Sequence, residues 1–259
     1  MLYSSLAKQN LHRLPQPGTI IASSFTSPID CLYLAAIFDP IFTASYPSTR
    51  LVQRISLFQA ILRALLPPQS TPPPNARLVP LSTLVRENPD SSIVVLPECT
   101  TTNGRGILRF SPSLLTAPPK TKIFPVSLRY TPSDVTTPIP HTYFSFMWNL
   151  CSRPTHCIRV RIAEAVYNTS ASTSRPAMPK PKNSYDTNFF DELELSEKRV
   201  SSSDTLVASS EDGEELNTEE KQVLDRVGED LARLGRVKRV GLGVREKEEF
   251  VRAWTKKRR

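Results

Sequence analysis

The sequence has little glycine, few cysteines and no long apolar run, and each shortage limits what kind of protein it can be. Only 8 of the 259 residues are glycine, against 24 prolines, so proline-punctuated loops are expected beside a disordered part. No run of 18 apolar residues occurs, so no membrane-spanning helix is predicted, and the first residues lack the apolar core of a signal peptide. Without metal-ligand spacing, the cysteines indicate reduced thiols in a cytosol-facing protein. They are Cys31, Cys99, Cys151 and Cys157.

Positive charge is in excess but is unevenly placed along the chain. The formal net charge is +8, and residues 233–259, with eleven Lys/Arg and three Asp/Glu, carry a net of +8 by themselves. Residues 186–220 are the opposite, with twelve acidic and two basic side chains. Residues 168–216 are poor in apolar side chains, cannot bury a core and are predicted to be disordered. The sequence therefore divides into a predicted domain at 1–167, this linker, and a basic helical segment at 217–259.

The C-terminal segment is predicted to begin with an amphipathic helix. Asn217 and Glu220 have the spacing of a capping box, and apolar residues recur after them at helical intervals. A basic stretch and a shorter helix that carries Trp254 follow. Three interpretations are open for this end. It suits an anionic membrane surface, it could be a solvated and soluble end, and nucleic-acid binding, which rests on charge alone, is the weakest of the three.

The first 167 residues have the apolar pattern of a strand-rich α/β domain. Short runs of β-branched residues predict buried strands, and apolar residues spaced by three and four predict helices. The predicted strands span residues 20–22, 93–96, 122–130 and 158–162. The predicted helices span residues 31–38, 51–66 and 81–87.

A polar loop after the predicted strand at 93–96 is the strongest candidate for a functional site. Pro97 ends the strand, and the next eight residues supply one carboxylate, three hydroxyls, an amide and a guanidinium. Ligands of α/β sheets bind beyond the carboxyl ends of strands, and Gly104 and Gly106 let the backbone turn sharply or approach a ligand. Arg105 is a planar donor suited to phosphate. From the spacing alone, a capped surface turn is an equal alternative.

Two stretches of the chain resemble the glycerolipid acyltransferases. Residues 96–105, Leu-Pro-Glu-Cys-Thr-Thr-Thr-Asn-Gly-Arg, look like the third sequence block of that family, with Cys99 where glycine is usual. Residues 26–30, Thr-Ser-Pro-Ile-Asp, match the end of the first block, which reads Asn-His-x-x-x-x-Asp. The run around Pro125 is similar to the fourth block, whereas the second block is not recognisable. The acidic insert and the basic end resemble the fungal lysophosphatidate acyltransferase branch.

The resemblance implies an α/β fold like that of the glycerolphosphate acyltransferases, with a mixed sheet flanked by helices. It implies an enzyme that moves an acyl group from acyl-CoA, the co-substrate, to the hydroxyl of a lysophospholipid such as lysophosphatidate. Neither a metal nor a redox cofactor is implied. Because the family is membrane-bound, the resemblance further implies the cytosolic face of the endoplasmic reticulum or of lipid droplets. We expect that the family's N-terminal anchor is missing from this sequence.

The resemblance also implies roles for single residues. The resemblance implies that the third block holds the acceptor's phosphate, although Glu98 would repel a phosphate and is expected instead to fix the loop through backbone N–H groups. The sheet should place Glu98 beside the turn that holds Phe25 and Asp30. The implied substrate-binding residues are Ser27, Glu98, Thr100, Thr101, Thr102, Asn103 and Arg105.

The catalytic position departs from the family pattern. Asp30 stands where the family has the aspartate that orients a catalytic histidine, but Phe25 stands at the histidine position. Phenylalanine cannot take a proton, and general-base assistance typically contributes about 10²–10⁴-fold. Asp30 is equally suited to cap the helix that follows, since Asp is a preferred N-cap. Two hypotheses are therefore open: an acyltransferase, or a lipid-binding pseudoenzyme of the same fold.

Overall fold

The computed structural model of the protein describes residues 13–170 and 216–257. These residues form a mixed sheet flanked by helices. The strands are β1 (Ile20–Ser23), β2 (Ile41–Tyr46), β3 (Thr49–Ile55), β4 (Leu78–Val79), β5 (Ile93–Val95), β6 (Gly106–Ile107), β7 (Lys122–Thr131), β8 (Cys157–Ile162), β9 (Val166–Tyr167) and β10 (Lys238–Arg239). The α-helices are α1 (Pro28–Phe38), α2 (Leu57–Arg63), α3 (Leu81–Glu87), α4 (Tyr143–Cys151), α5 (Thr218–Gly235) and α6 (Val244–Lys257).

The main sheet has the strand order β4-β3-β2-β5-β1-β7-β8, with β9 also paired to β7. Its four central strands, β2, β5, β1 and β7, are parallel, and the strands at both edges are antiparallel. A separate parallel pair joins β6 to β10. This arrangement confirms the predicted α/β fold class with a mixed sheet flanked by helices.

The core has two layers because successive side chains of a strand point to opposite faces of the sheet. Ile20 and Ala22 of β1 lie in one apolar cluster, and Ile21 lies in the other. Strand β5 alternates in the same way, with Ile93 and Val95 on the first face and Val94 on the second. Since both faces are covered, the central strands are continuous apolar runs, as parallel strands usually are.

Helix α5 covers part of the first face. Val227 and Leu231 on its apolar side are completely buried in the cluster that contains Ile20. Asn217 and Glu220 form the predicted capping box at its start, and Glu220 also pairs with Arg50 of β3. The C-terminal residues therefore contribute to the same core as the residues before the insert.

The predicted helix at residues 51–66 was wrong. Residues 49–55 form β3, which pairs antiparallel with β2, and only Leu57–Arg63 is helical. Ser56 starts that helix because its side chain accepts a hydrogen bond from the Gln59 amide at 3.2 Å. The strand is followed directly by the helix, and apolar residues recur every three or four positions across both. This spacing led to the prediction of one continuous helix. Helix α3 occupies the predicted residues 81–87.

Helix α4 shows an unusual amount of aromatic surface. Phe146 is buried, but Phe144 is 91% exposed and Trp148 is 76% exposed. Within residues 13–170 and 216–257, no helix combines the length and apolar character that crossing a bilayer requires. The predicted disordered linker at 168–216 lies outside the described residues except at its ends, and the domain boundaries stay a prediction.

Candidate functional site

The two stretches that resemble the acyltransferases meet at one edge of the sheet. Strands β1 and β5 are adjacent and parallel, with Ala22 opposite Val95, so their carboxyl ends emerge together. Two hydrogen bonds then join the segments that follow. The Phe25 amide donates to Glu98 Oε1 at 3.4 Å, and the Thr102 amide donates to the Phe25 carbonyl at 2.9 Å. Residues separated by more than 70 positions in the chain thus form one compact site.

Glu98 is fully buried and holds backbone rather than facing solvent. Besides the Phe25 amide, its carboxyl group accepts a hydrogen bond from the Leu108 amide at 3.2 Å, on the far side of the loop. The expectation that Glu98 fixes the loop through backbone N–H groups is therefore confirmed. Burial raises the pKa of Glu98 to about 8, although both backbone hydrogen bonds oppose the rise.

The threonine hydroxyls of the loop are hydrogen-bonded to other groups of the protein, both within the loop and outside it. Thr100, Thr101 and Thr102 are all buried. Thr101 donates to the Thr137 carbonyl at 2.6 Å, and Thr102 accepts from the Gly104 amide at 3.3 Å. Gly104 has a φ of +67°, a left-handed conformation that favours glycine. These contacts give the turn a fixed shape from which a ligand-binding side chain can project.

Two of the predicted phosphate-binding residues face solvent. Asn103 and Arg105 are exposed at the tip of the loop, where Asn103 Oδ1 accepts a hydrogen bond from the Arg105 amide at 3.0 Å. The backbone between them lies against the other matched stretch, because a Cβ at Gly104 would be 3.6 Å from Thr26 Cγ2. The backbone next to Arg105 therefore lies close to Thr26. Its substrate-binding role stays a prediction.

Asp30 is fully buried, and hydrogen bonds occupy both of its carboxylate oxygens. Oδ2 accepts from the Thr26 amide at 2.6 Å, the Ser27 amide at 2.9 Å and the Thr26 hydroxyl at 3.1 Å. Oδ1 accepts from the Tyr130 hydroxyl. Burial raises the pKa of Asp30 to about 6, against the opposing effect of these hydrogen bonds.

The helix that follows is capped by Ser27 rather than by Asp30. Ser27 is the N-cap of α1, and Asp30 occupies the third helical position, from which its carboxylate returns to the Ser27 amide. The prediction that Asp30 is the N-cap was therefore wrong, because the N-cap is Ser27, three residues earlier. Asp30 still helps to cap the helix, as the second member of the capping box. Ser27 is completely buried and donates its hydroxyl proton to the Val135 carbonyl at 2.8 Å.

No basic side chain stands at the position of the family histidine. The Phe25 ring is fully buried in the second apolar cluster, together with Ile21 and Leu34. Among the described residues, His141 and His156 form no hydrogen bond with Asp30 or with the loop, since the His156 ring contacts the Leu150 carbonyl at 2.9 Å and the His141 ring packs against Tyr143. His12 lies outside the described residues.

A small cleft borders these groups. It lies where the Thr26 turn, the glycine-bearing loop, strand β7 and the end of α5 meet. Its polar wall carries hydroxyls and the side chain of Arg129, which donates to the Gly235 carbonyl at 3.1 Å. The lining residues are Ser24, Thr26, Thr102, Gly104, Ile107, Ser127, Leu128, Arg129, Gly235 and Val237.

Two residues of the site were missed by the sequence reasoning. Tyr130 belongs to a predicted strand, but its pairing with Asp30 across 100 positions has no local sequence signal. Lys247, in the first turn of α6, donates to the hydroxyls of Thr100 and Thr101 at 2.8 and 3.2 Å. In the sequence it is one basic residue among many near the C-terminus, so its partner could not be found.

Glu98 should make stability fall as the pH rises through neutrality. Its pKa is higher in the folded chain, about 8, than the ordinary 4.5, so the folded state holds the proton more tightly between these values. The pKa of Asp30 is raised only to about 6, so its own contribution changes mainly below that pH. The pKa of Lys247 is lowered to about 8, so the cost of burying its charge is relieved only as the pH rises above about 8. We expect the free energy of unfolding to fall by up to about 1.4 kcal/mol per pH unit between about pH 6 and 8.

The Glu98→Gln variant should lack this decline because glutamine does not titrate. Urea unfolding of both proteins at several values between about pH 6 and 8 measures the difference. Glu229→Gln makes the same chemical change at an exposed position of α5 and should keep the decline of the native protein. An equal decline in the Glu98 and Glu229 variants would contradict the assignment.

The mixed α/β fold agrees with the class of protein that the sequence resembles. No family model matches the chain. The chain is similar to a Schizosaccharomyces pombe protein named "Putative lysophosphatidic acid:oleoyl-CoA acyltransferase", with 27% identity over 148 residues. The match covers 57% of this chain and 49% of the relative, so the chain spans about half the length of the curated protein that it matches. This similarity supports a distant family-level relationship to the acyltransferases and confirms the resemblance at that level.

Proposed function

We propose that this protein is an acyl-CoA-dependent acyltransferase that acylates a lysophospholipid such as lysophosphatidate in phospholipid synthesis or remodelling. The observation that carries the proposal is the direct contact between its two acyltransferase-like stretches. Glu98 and Thr102 of the loop are both hydrogen-bonded to the backbone of Phe25, in the turn that leads to Asp30. The named activity of the similar S. pombe protein supports the same reaction class.

The proposed reaction is an acyl exchange between a thioester and a hydroxyl. The acceptor oxygen forms a bond to the thioester carbonyl carbon, the C–S bond breaks, and CoA leaves as the thiol with the proton that the hydroxyl gives up. Arg105 would bind the acceptor's phosphate, since it is exposed at the tip of the loop and follows Gly104, which lies close to Thr26. Asp30 would act through the geometry of that turn, because Phe25 offers no ring nitrogen for it to orient.

A lipid-binding pseudoenzyme is the second candidate, and one specific observation favours it. Phe25 is packed in the apolar core at the place of the family's base, and the oxygens of Asp30 are occupied by four donors. The loop that would bind the phosphate is complete under both hypotheses. Binding alone therefore cannot separate them, and product formation can.

Arg105→Ala should weaken lysophosphatidate binding whether or not the protein is catalytic. The change removes a charge-assisted hydrogen bond, typically worth about 1.5–3 kcal/mol, or roughly tenfold to more than a hundredfold in affinity. Titration calorimetry with a short-chain lysophosphatidate measures the loss. Arg226→Ala, at an exposed position of α5, is the matched control and should bind normally. Equal affinity in both variants would remove Arg105 from the site.

Attachment to a membrane is a further part of the proposal. We propose that the protein works at the cytosolic face of the endoplasmic reticulum or of lipid droplets, where its acceptor resides. The exposed aromatic side chains of α4, Phe144 and Trp148, support contact with lipid. A role for the basic C-terminal end in binding anionic membranes stays a prediction, and vesicle binding at low and high salt tests it.

A further inference from the structure

The chain on the C-terminal side of α5 runs directly along the candidate phosphate loop. We call residues 238–247 the C-terminal strap. Its first residues form β10, which pairs with β6 in parallel, with Lys238 opposite Gly106. Two further backbone hydrogen bonds extend the pairing: the Val240 amide donates to the Ile107 carbonyl and the Arg109 amide to the Leu242 carbonyl, each at 2.9 Å. The strap thus fixes the segment that immediately follows the loop.

Gly106 permits this close approach. A Cβ at that position would lie 3.3 Å from Val240 Cγ1 and 3.5 Å from the Lys238 carbonyl oxygen. The first distance is tight for a side-chain carbon, so a larger residue at position 106 would press on the strap. The structure therefore accounts for Gly106, the second glycine of the loop, by its close packing against the strap.

Lys247, at the end of the strap, contacts Thr100 and Thr101 in the middle of the loop. Val244, in the same helical turn, is buried and anchors the start of α6. The Lys247 ammonium then donates to Thr100 Oγ1 at 2.8 Å, to Thr101 Oγ1 at 3.2 Å and to the Thr101 carbonyl. An ammonium has three donors, and all three contacts are made to two consecutive loop residues.

The charge of Lys247 is well suited to a site for anions. Its side chain is half-buried beside Glu98, whose raised pKa of about 8 leaves that carboxyl group largely uncharged at neutral pH. Burial lowers the pKa of Lys247 to about 8, with an opposing effect from Glu98, so the ammonium is mostly charged at neutral pH. A positive charge held against Thr100 and Thr101 attracts an anion such as a phosphate at the loop, and weak solvent screening strengthens the attraction.

We propose that Lys247 is the positioning residue of residues 98–106, and that the C-terminal strap thereby completes a site for a phosphate monoester. The inference rests on the proposed function in one respect only, the assumption that this loop binds the phosphate of the acceptor. Lys247 holds the hydroxyls of Thr100 and Thr101 in place and supplies charge, without touching the reacting atoms.

Lys247→Met tests the proposal, because methionine keeps much of the side-chain length and removes the charge and all three hydrogen bonds. Calorimetry would compare 1-hexanoyl-lysophosphatidate with 1-hexanoylglycerol, which lacks the phosphate. We expect affinity for the first to fall tenfold or more and affinity for the second to stay unchanged. Amide hydrogen exchange in residues 98–106 should become faster. Lys247→Arg should restore most of both properties, whereas Lys256→Met, at an exposed position of the same helix, should resemble the native protein.

Each outcome supports or overturns the proposal. Unchanged lysophosphatidate affinity together with unchanged loop exchange in Lys247→Met would overturn it, and so would an equal loss for both ligands, which indicates a general structural role. If the native protein binds no lysophosphatidate, the proposed function fails, and loop exchange alone decides whether Lys247 positions the loop. If Lys247→Met does not fold, Thr100→Val removes one acceptor of the ammonium and should give a smaller loss of the same kind.

Discussion

Replacing Asp30 with alanine is expected to lower the free energy of unfolding by about 3–4 kcal/mol, measured by urea unfolding near neutral pH. The carboxylate accepts hydrogen bonds from two amides and two hydroxyls in a fully buried place. Without it the Thr26 and Ser27 amides and the Tyr130 hydroxyl lose their partner, and unsatisfied buried donors are costly. The start of α1 would loosen at the same time, since Asp30 closes the capping box.

Two further variants decide whether this loss comes from the hydrogen-bond network. Asp90→Ala removes an exposed carboxylate and should change stability by less than about 0.5 kcal/mol. Tyr130→Phe removes one hydrogen bond to a charged group and should cost about 1.5–3 kcal/mol. The double variant of Asp30 and Tyr130 should lose less than the sum, because the two residues share a contact. Additive losses would show that Asp30 and Tyr130 act independently.

Replacing Phe25 with histidine should raise the rate of acyl transfer by about 10²-fold or more, within the usual range of general-base assistance. Histidine titrates near neutral pH, so it can accept the acceptor's proton where phenylalanine cannot. Tyr130 limits the gain, because its hydroxyl already donates to one oxygen of Asp30, the residue that would orient the new ring. The Phe25→His/Tyr130→Phe variant frees that oxygen and should be faster than Phe25→His alone.

The matched control at this position is Phe25→Leu, which stays apolar and brings no base. It should transfer acyl groups at the rate of the native protein or more slowly, since Phe25 is fully buried and its loss leaves a cavity. Initial rates at saturating acyl-CoA measure all the variants. A folded Phe25→His protein that binds lysophosphatidate but is no faster than Phe25→Leu would contradict a base position at residue 25.

Strands β1, β5 and β7 and the polar loop after β5 could be predicted because their signals are local, whereas the central strand β2 was not predicted. Strands β1 and β5 are short runs of β-branched residues that end in polar turns, and such runs read as buried strands. Because both runs were expected in one sheet, the polar turns that follow them were expected to lie together, with Glu98 beside the Phe25 turn. The backbone role of Glu98 followed from charge alone, since a carboxylate would repel the phosphate.

Other features depend on tertiary contacts that no local pattern shows. Residues 51–55 share the spacing of a helix face, but pairing with β2 makes them a strand. Tyr130 meets Asp30, and Lys247 meets Thr100 and Thr101, across 100 or more positions. Their side chains are ordinary members of a strand and of an amphipathic helix, so only the fold shows that they belong to the site.

The central claim, acyl transfer to a lysophospholipid, is tested most directly by product formation. Purified protein would be incubated with acyl-CoA and lysophosphatidate, and phosphatidate and free CoA would be quantified by mass spectrometry. The account predicts that both accumulate in equal amounts and in proportion to the protein, and that Arg105→Ala forms less at limiting acceptor. Absence of phosphatidate from a folded protein that binds lysophosphatidate would contradict the claim and leave the lipid-binding pseudoenzyme.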